Sequence, residues 1–582
     1  MTLAMNEEVV LTVSDLTVKY GDTTPVDGVS FALRRGERIG LVGESGSGKS
    51  LTALSIMGLA DRAKLGGTID LNGTNLLSLS SKQMTRIRGG RVAMVYQDPM
   101  SSLNPVMTIG RQLTEAIRLH STATKASAHL QAIELLTEVG VPFPEERMKQ
   151  YAHEFSGGMR QRVMIAMAMS GKPDVLIADE PTTALDVTTQ AVIIDLLDRL
   201  ATEHGTAVVL ITHDLGIAAG FCESIHVMRH GKIVESAPAT QLYAHPENDY
   251  SKVLLQSVVD LTIDVTKPIP VASSQAPASA HTVASPTTTP TTSPTTSPTS
   301  ESGEVVLSVS GLNKTFQLGS GRKITAIDNV SFKVRRGETF GLVGESGSGK
   351  STVSRAVLGL MKVDSGSVDF QGNDVHALKP TALRSLRRRM QMVFQDPFSS
   401  LNRRQTVSQI IESPLIAHRI GTRSEREAKV AEMLELVGLG AEFADRYPRT
   451  MSGGQCQRVS IARSLVLDPD FMVLDESVSA LDVSIQAQVL NLLRELQQRL
   501  GLTYLFISHD LAVIRYMADN IAVMRRGEIV ELASRDELYS NPQHEYTRSL
   551  MAAIPVADPL VERERRKTAA KLAAAYETEE VA

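Results

Sequence analysis

Eight residues occur twice in this chain, letter for letter: Gly43-Glu44-Ser45-Gly46-Ser47-Gly48-Lys49-Ser50 and Gly344-Glu345-Ser346-Gly347-Ser348-Gly349-Lys350-Ser351. Both match the phosphate-binding loop G-x-x-x-x-G-K-[ST]. Each follows a run that reads as a buried strand, Arg38 to Val42 and Thr339 to Val343. The first leads into Leu51 to Met57, which reads as a helix. Strand, glycine turn and helix start wrap backbone N–H groups and a positive helix end around a phosphate. Lys49 is expected to reach the β- and γ-phosphates, and the Ser50 hydroxyl to hold Mg²⁺.

Other landmarks repeat at nearly the same offset. Gln97-Asp98-Pro99 answers Gln395-Asp396-Pro397, Ser156-Gly157-Gly158 answers Ser452-Gly453-Gly454, and His213-Asp214 answers His509-Asp510. A period of about 300 residues is too long for a solenoid, so the chain reads as a duplicated α/β domain.

Bulk properties narrow the class. A net charge of −5 leaves no electrostatic footprint for nucleic acid. No apolar run approaches the roughly 18–20 residues that span a bilayer. The N-terminus lacks the basic and apolar regions of a signal peptide, so a cytosolic chain is expected, with any membrane role supplied by a partner. Two cysteines, Cys222 and Cys456, cannot build a four-cysteine metal site and read as packing residues.

Taken in order, residues 9–20 and 26–33 read as an antiparallel start. Tyr20 at its end is either an edge residue or a platform for a nucleotide base; Phe316 in the same place of the second copy favours stacking. Arg91 to Tyr96 reads as a strand ending at Gln97, a side chain able to bind Mg²⁺ or orient water. Residues 108–153 have helical periodicity. Ser156, Gly157 and Gly158 open an apolar helix, Val163 to Met169, and form a second phosphate-binding N-terminus. Val175 to Ala178 is a buried strand capped by Asp179 and Glu180, 130 residues after Lys49. Asp179 is placed for Mg²⁺ and Glu180 to polarise an attacking water. Asp186 follows in a turn before a helix, Gln190 to Ala201. The strand Ala207 to Thr212 then ends at His213, placed as a γ-phosphate sensor.

From Pro268 to Ser300 there is no charged residue, and Pro, Thr, Ser and Ala dominate. Such a segment forms no core, so 268–303 reads as a linker with a reach of roughly 30–40 Å. The second domain repeats the pattern over 304–557, with Phe316, Lys350, Ser351, Gln395, Ser452, Gly453, Gly454, Gln455, Asp475, Glu476, Asp482 and His509. The charged end, 558–582, reads as a solvated or frayed helix without function.

Ser-Gly-Gly ahead of the Asp-Glu strand, with Gln97 and His213 in place, resembles the ATP-binding cassette ATPases across both halves. The resemblance implies two cassettes, 1–267 and 304–557. Each would have a RecA-like core, an antiparallel β edge and a helical lobe (about 98–170 and 396–465). It implies two ATP molecules sandwiched between head-to-tail halves. The ATP contacts would be Tyr20, Gly43, Ser45, Gly46, Gly48, Lys49, Ser50, Leu51 and Gln97, with Ser156, Gly157 and Gly158. Their counterparts are Phe316, Gly344, Ser346, Gly347, Gly349, Lys350, Ser351, Thr352 and Gln395, with Ser452, Gly453, Gly454 and Gln455. Mg²⁺ would fall to Ser50, Gln97 and Asp179 and to Ser351, Gln395 and Asp475. Catalysis would fall to Glu180, His213, Glu476 and His509, and Asp186 and Asp482 would mark the loops that cross between halves. Met159 departs from the usual glutamine of the signature, which makes some asymmetry between the sites an expectation.

Gln97-Asp98-Pro99-Met100-Ser101-Ser102-Leu103-Asn104-Pro105 and its second copy resemble the ATPases of bacterial peptide and nickel importers. So do the ends, Asn541-Pro542-Gln543-His544-Glu545-Tyr546-Thr547 and His245-Pro246-Glu247-Asn248-Asp249-Tyr250. This implies a peripheral ATPase on the cytoplasmic membrane face, working with two permeases and an external binding protein. Peptide is the expected cargo; glutathione, a nickel chelate or an opine stay open. No cysteine lies in either extension, so no iron–sulfur cluster is expected. The rival is a tandem ATPase acting on ribosomes or DNA. Relatives of that kind join their halves with charged helical linkers or carry metal-binding cysteines. A non-hydrolytic scaffold is disfavoured by Glu180 and Glu476.

Overall fold

The computed structural model describes residues 8–183, 185–261, 263–271, 303–317, 323–479 and 481–566. The body of the expected linker, Ala184 and the end of the charged tail lie outside the described residues.

The first half contains strands β1 (Val9–Tyr20), β2 (Thr23–Arg34), β3 (Arg38–Val42), β4 (Lys64–Leu71), β5 (Thr74–Asn75), β6 (Val92–Val95), β7 (Val175–Asp179), β8 (Ala207–Thr212), β9 (Ser224–Arg229) and β10 (Lys232–Pro238). One sheet, ordered β2-β1-β4-β5, is antiparallel. The other, ordered β10-β9-β3-β8-β7-β6, is parallel except at β10. Its central strands are apolar along their length because both faces are covered. Val42, Leu176, Ala178, Val208 and Leu210 face a core shared with the helices. Ile39, Leu41, Val175, Ile177, Val209 and Ile211 face the core shared with the antiparallel sheet. This period-two division is what a doubly covered strand requires.

The parallel strands β3, β6, β7 and β8 share one C-terminal edge. The phosphate loop, Gln97, Asp179 with Glu180, and His213 all leave from that edge, where open α/β sheets present their ligand sites. The helical lobe is built from Ile109–His120, Lys125–Glu138 and Gly157–Met169. Leu113, Ile117, Leu136 and Val163 pack between them. The second half repeats the plan, its six-stranded sheet centred on Thr339–Val343 and Thr503–Ser508. Two helices start earlier than apolar periodicity indicates. Ser156 caps Gly157–Met169, and Asp186 caps Val187–His204 through a 2.9 Å bond from the Thr189 N–H. The polar caps and first turns carry no apolar signal.

Two terminal segments depart from expectation by crossing between halves. Ile269, placed in the linker by composition, is 3% exposed within the core of the second half. Its N–H donates to Asn491 Oδ1 at 3.0 Å, and its carbonyl accepts from Asn491 Nδ2 at 2.9 Å. The start of the tail is solvated on one side only. Residues 559–566 are helical, and Glu562 is 1% exposed. Arg566 donates to Asp198 Oδ2 at 3.1 Å and to the Gly220 carbonyl at 3.1 Å, both in the first half. Glycine permits this approach: a Cβ on Gly216 would lie 2.6 Å from Pro555 Cβ, and one on Gly220 would strike Glu562 Cγ. Arg566 meets partners hundreds of residues away, which composition alone does not reveal. Among the described residues no helix is long and apolar enough to cross a membrane.

Candidate functional site

Each phosphate loop turns on glycines with left-handed φ. Gly48 has φ 104, and a Cβ there would lie 2.7 Å from the Pro25 carbonyl oxygen. The loop delivers Lys49 inward, where Nζ donates to the Gly43 and Glu44 carbonyls at 2.7 and 2.8 Å. Lys350 repeats this on Gly344 and Glu345 at 2.7 Å each. Burial lowers the pKa of both lysines against the pull of nearby carboxylates.

The acid pair sits opposite. Ser50 Oγ donates to Asp179 Oδ1 at 3.0 Å, and Ser351 Oγ to Asp475 Oδ1 at 3.2 Å. Ser354 adds a 3.1 Å bond to Asp475 Oδ2. Burial pushes the Asp179 carboxyl up to about 6, and Asp475 shifts the same way. Glu180 and Glu476 both have φ 46, a left-handed backbone that costs a non-glycine residue about 1–3 kcal/mol. That kink turns each glutamate out of its strand and towards the loop edge.

Glu180 is crowded with donors. Gln97 Nε2 reaches Oε2 at 2.7 Å, Thr183 Oγ1 reaches the same oxygen at 2.9 Å, and His213 Nδ1 lies 3.2 Å from Oε1. Glu476 receives Gln395 at 2.6 Å, with His509 Nδ1 3.7 Å away and Lys350 Nζ 4.0 Å away. Burial works to raise the Glu180 pKa, but the bond and charge of His213, with Thr183 and Lys49, hold it below its usual value. Burial lowers His213, yet its bond to Glu180 and neighbouring carboxylates raise it on balance.

The sequence-predicted residues of the sheet edge therefore come together in both halves. The two loops also meet the opposite half. Ser45 Oγ donates to Asp482 Oδ1 at 2.9 Å, Ser484 Oγ to Glu44 Oε1 at 2.6 Å, and Thr188 Oγ1 to Glu345 Oε1 at 2.9 Å. The signature serines bond within their own helices, Ser156 to the Met159 N–H and Ser452 to the Gln455 N–H, each at 3.3 Å. Tyr20 and Phe316 are 37% and 41% exposed at the ends of their strands. Sequence reasoning missed Thr183, Thr188, Ser354 and Ser484. All four lie within three residues of a landmark, but ordinary hydroxyls carry no motif.

With this geometry in view, comparison with known proteins is decisive. A family model described as ABC transporter matches residues 26–183 and again 327–479. The chain belongs to the ABC transporter family. It is an ABC ATPase, with two cassettes in one polypeptide and an ATP site in the family's fold. A second model, described as the oligopeptide/dipeptide transporter C-terminal region, matches 530–578. The chain is 44% identical to the glutathione import ATP-binding protein GsiA of Shigella flexneri over 561 residues, 93% of this chain and 88% of the relative. The GsiA of Salmonella choleraesuis (strain SC-B67) is 44% identical over 579 residues, 96% and 91% of the two chains. A solved ATP-binding cassette, MJ0796 bound to ADP and phosphate, is 31% identical and aligns with 39% of this chain and 98% of its own at a TM-score of 0.37.

Proposed function

We propose that this chain is the ATP-hydrolysing subunit that drives peptide uptake across the bacterial plasma membrane. The observation that carries the reading is its 44% identity, over 93% of its length, to proteins named for glutathione import. The oligopeptide/dipeptide C-terminal region supports the same class, and glutathione is itself a tripeptide. The chain would sit peripherally on the cytoplasmic face, gripping two permease subunits that an external binding protein supplies with cargo.

The two halves would pair head to tail. The bonds Ser45 to Asp482, Ser484 to Glu44 and Thr188 to Glu345 support that pairing, since each joins a phosphate loop to the opposite crossing loop or the first turn of the helix after it. One ATP would lie between Lys49, Asp179, Glu180 and His213 of the first half and Ser452, Gly453 and Gln455 of the second. The other would lie between Lys350, Asp475, Glu476 and His509 and the helix start at Ser156 and Gly157. The donor set fits Mg²⁺: a hydroxyl and a carboxylate 3.0 Å apart, the carboxylate desolvated and short of positive charge. Ser50, Asp179 and Gln97 would hold the ion, with Ser351, Asp475 and Gln395 in the second site. Bound there, it would neutralise phosphate charge.

Glu180 and Glu476 would polarise the water that attacks the γ-phosphorus as ADP leaves. Lys49 and the loop N–H groups would stabilise the charge that develops on the phosphoryl oxygens. His213 would steady the carboxylate. Gln97 and Thr183 are both bonded to the Glu180 carboxylate and would fix its orientation.

Purification from native membranes in mild detergent tests the reading. Co-purification of two multi-span permeases is the expected result, and uptake of glutathione against dipeptides in cells lacking the chain then assigns the cargo. Recovery of ribosomal proteins or nucleic acid instead would overturn it.

A further inference from the structure

The C-terminal extension of each half reaches back to its own phosphate loop through one tyrosine. The Glu44 N–H donates to the Tyr250 hydroxyl at 3.4 Å, and the Glu345 N–H to the Tyr546 hydroxyl at 3.2 Å. The tyrosines are 5% and 2% exposed. An arginine covers each ring, Arg229 at 4.6 Å from the Tyr250 centroid and Arg525 at 4.9 Å from that of Tyr546. The helices that carry them are fixed at their starts in the same way. Asn248 caps Asp249–Gln256 by accepting from the Tyr250 N–H at 2.9 Å, and His544 Nδ1 accepts from the Tyr546 N–H at 3.1 Å. Glu235 accepts from the Glu247 and Asn248 N–H groups, and Glu531 from those of Gln543 and His544. Two copies of one device, built from different capping residues, mark the tyrosine position as the shared feature.

What the tyrosine holds is the second residue of the loop. Glu44 is gripped at three points: Tyr250 on its N–H, Lys49 on its carbonyl and Ser484 of the opposite half on its carboxylate. Glu345 is gripped likewise by Tyr546, Lys350 and Thr188. When ATP draws the lysine to its phosphates, the carbonyl grip is lost. The tyrosine and the cross-half hydroxyl then hold the loop in the shape that aims its remaining N–H groups at phosphate.

We propose that Tyr250 and Tyr546 are positioning residues of the two ATP sites, each pinning its phosphate loop from the C-terminal extension. The inference rests on the ATP-site reading above. It links the extension to nucleotide affinity: a movement of the helix that carries the tyrosine is a movement of the loop.

Tyr546→Phe removes only the hydroxyl. In full-length protein carrying Lys49→Ala to silence the first loop, a fluorescent ATP analogue is titrated against the second. The dissociation constant is expected to rise roughly three- to tenfold, the range of one lost hydrogen bond. kcat should change less than KM, and the melting temperature little. Tyr250→Phe in a Lys350→Ala background should do the same at the first loop. An unchanged dissociation constant, with or without a lower melting temperature, overturns the proposal and leaves the ATP-site reading standing. If Lys49→Ala with Lys350→Ala does not abolish analogue binding, the ATP-site reading falls and the proposal falls with it.

Discussion

The Ser484 hydroxyl donates to the Glu44 carboxylate at 2.6 Å, joining the second residue of one phosphate loop to the long helix of the opposite half. Thr188 and Glu345 form the counterpart at 2.9 Å. Each loop is thus shaped partly by the other half. Ser484→Ala leaves a partly buried carboxylate without that donor, at a cost of about 1–3 kcal/mol. Half-maximal ATPase should then require several-fold more ATP, and Thr188→Val should match it. Steady-state kinetics check both, and an unchanged KM would show that the contact does not shape the loop.

The left-handed glutamates give the sharpest catalytic prediction. Glu180→Gln with Glu476→Gln keeps the size of the side chain but replaces one acceptor oxygen with an NH2 group and removes the charge that would polarise water. Turnover should fall by at least about 100-fold while ATP binding persists. Near-normal hydrolysis in the double variant would remove these residues from the mechanism.

Much of this site is legible in the sequence. The loop, the acid pair, Gln97 and His213 each end a strand, and parallel strands share one edge, so their convergence follows from topology. The bonds between halves are not legible, because they depend on how two domains meet. Ser484 and Thr188 look like any helix-starting hydroxyl until Glu44 and Glu345 stand opposite. The terminal segments misled for a related reason. Ile269 is flanked by prolines at the edge of a Pro/Ser/Thr stretch, and Glu562 and Arg566 sit in a charge run. Local composition reports neither the Asn491 amide that brackets Ile269 nor the Asp198 that receives Arg566.

Those crossings should hold the halves together without nucleotide. A protease site inserted between residues 272 and 302 lets the covalent tie be cut in the folded chain. The two pieces should still elute together. Ile269→Asp with Arg566→Ala removes a buried side chain worth about 2 kcal/mol and the ion pair to Asp198, and the cut pieces should then separate. Separation of the cut native chain would mean the crossings are too weak to matter.

Glu531 sets a pH dependence of known sign. Burial acts to raise its carboxyl, but the Thr547 hydroxyl and the backbone N–H groups of Gln543 and His544 hold it below the ordinary 4.5. A depressed folded pKa gives stability that is present above 4.5 and lost as pH falls through the folded value. Glu531→Gln should therefore melt below the native chain at pH 7. The gap should narrow steadily as pH drops below 4.5. A gap independent of pH would show that the carboxylate charge contributes nothing to anchoring the Tyr546 helix.

Met159 tests what the signature glutamine does. In the second half Gln455 returns a bond, its Oε1 accepting from the Ser452 N–H at 3.0 Å while Ser452 Oγ accepts from the Gln455 N–H at 3.3 Å. In the first half Ser156 caps the Met159 N–H, but a thioether offers no comparable acceptor in return. Met159→Gln should complete the reciprocal cap and add about 0.5–1 kcal/mol to the helix start. The melting temperature should rise by roughly 1–2 °C. Turnover at the Lys350 site, measured with Lys49→Ala in the first loop, should stay within about twofold, because the serine hydroxyl and glycine N–H donors that would face phosphate are already present. A lower melting temperature would contradict the capping argument. A large gain in turnover would instead place the glutamine against ATP and make the methionine the source of a real inequality between the two sites.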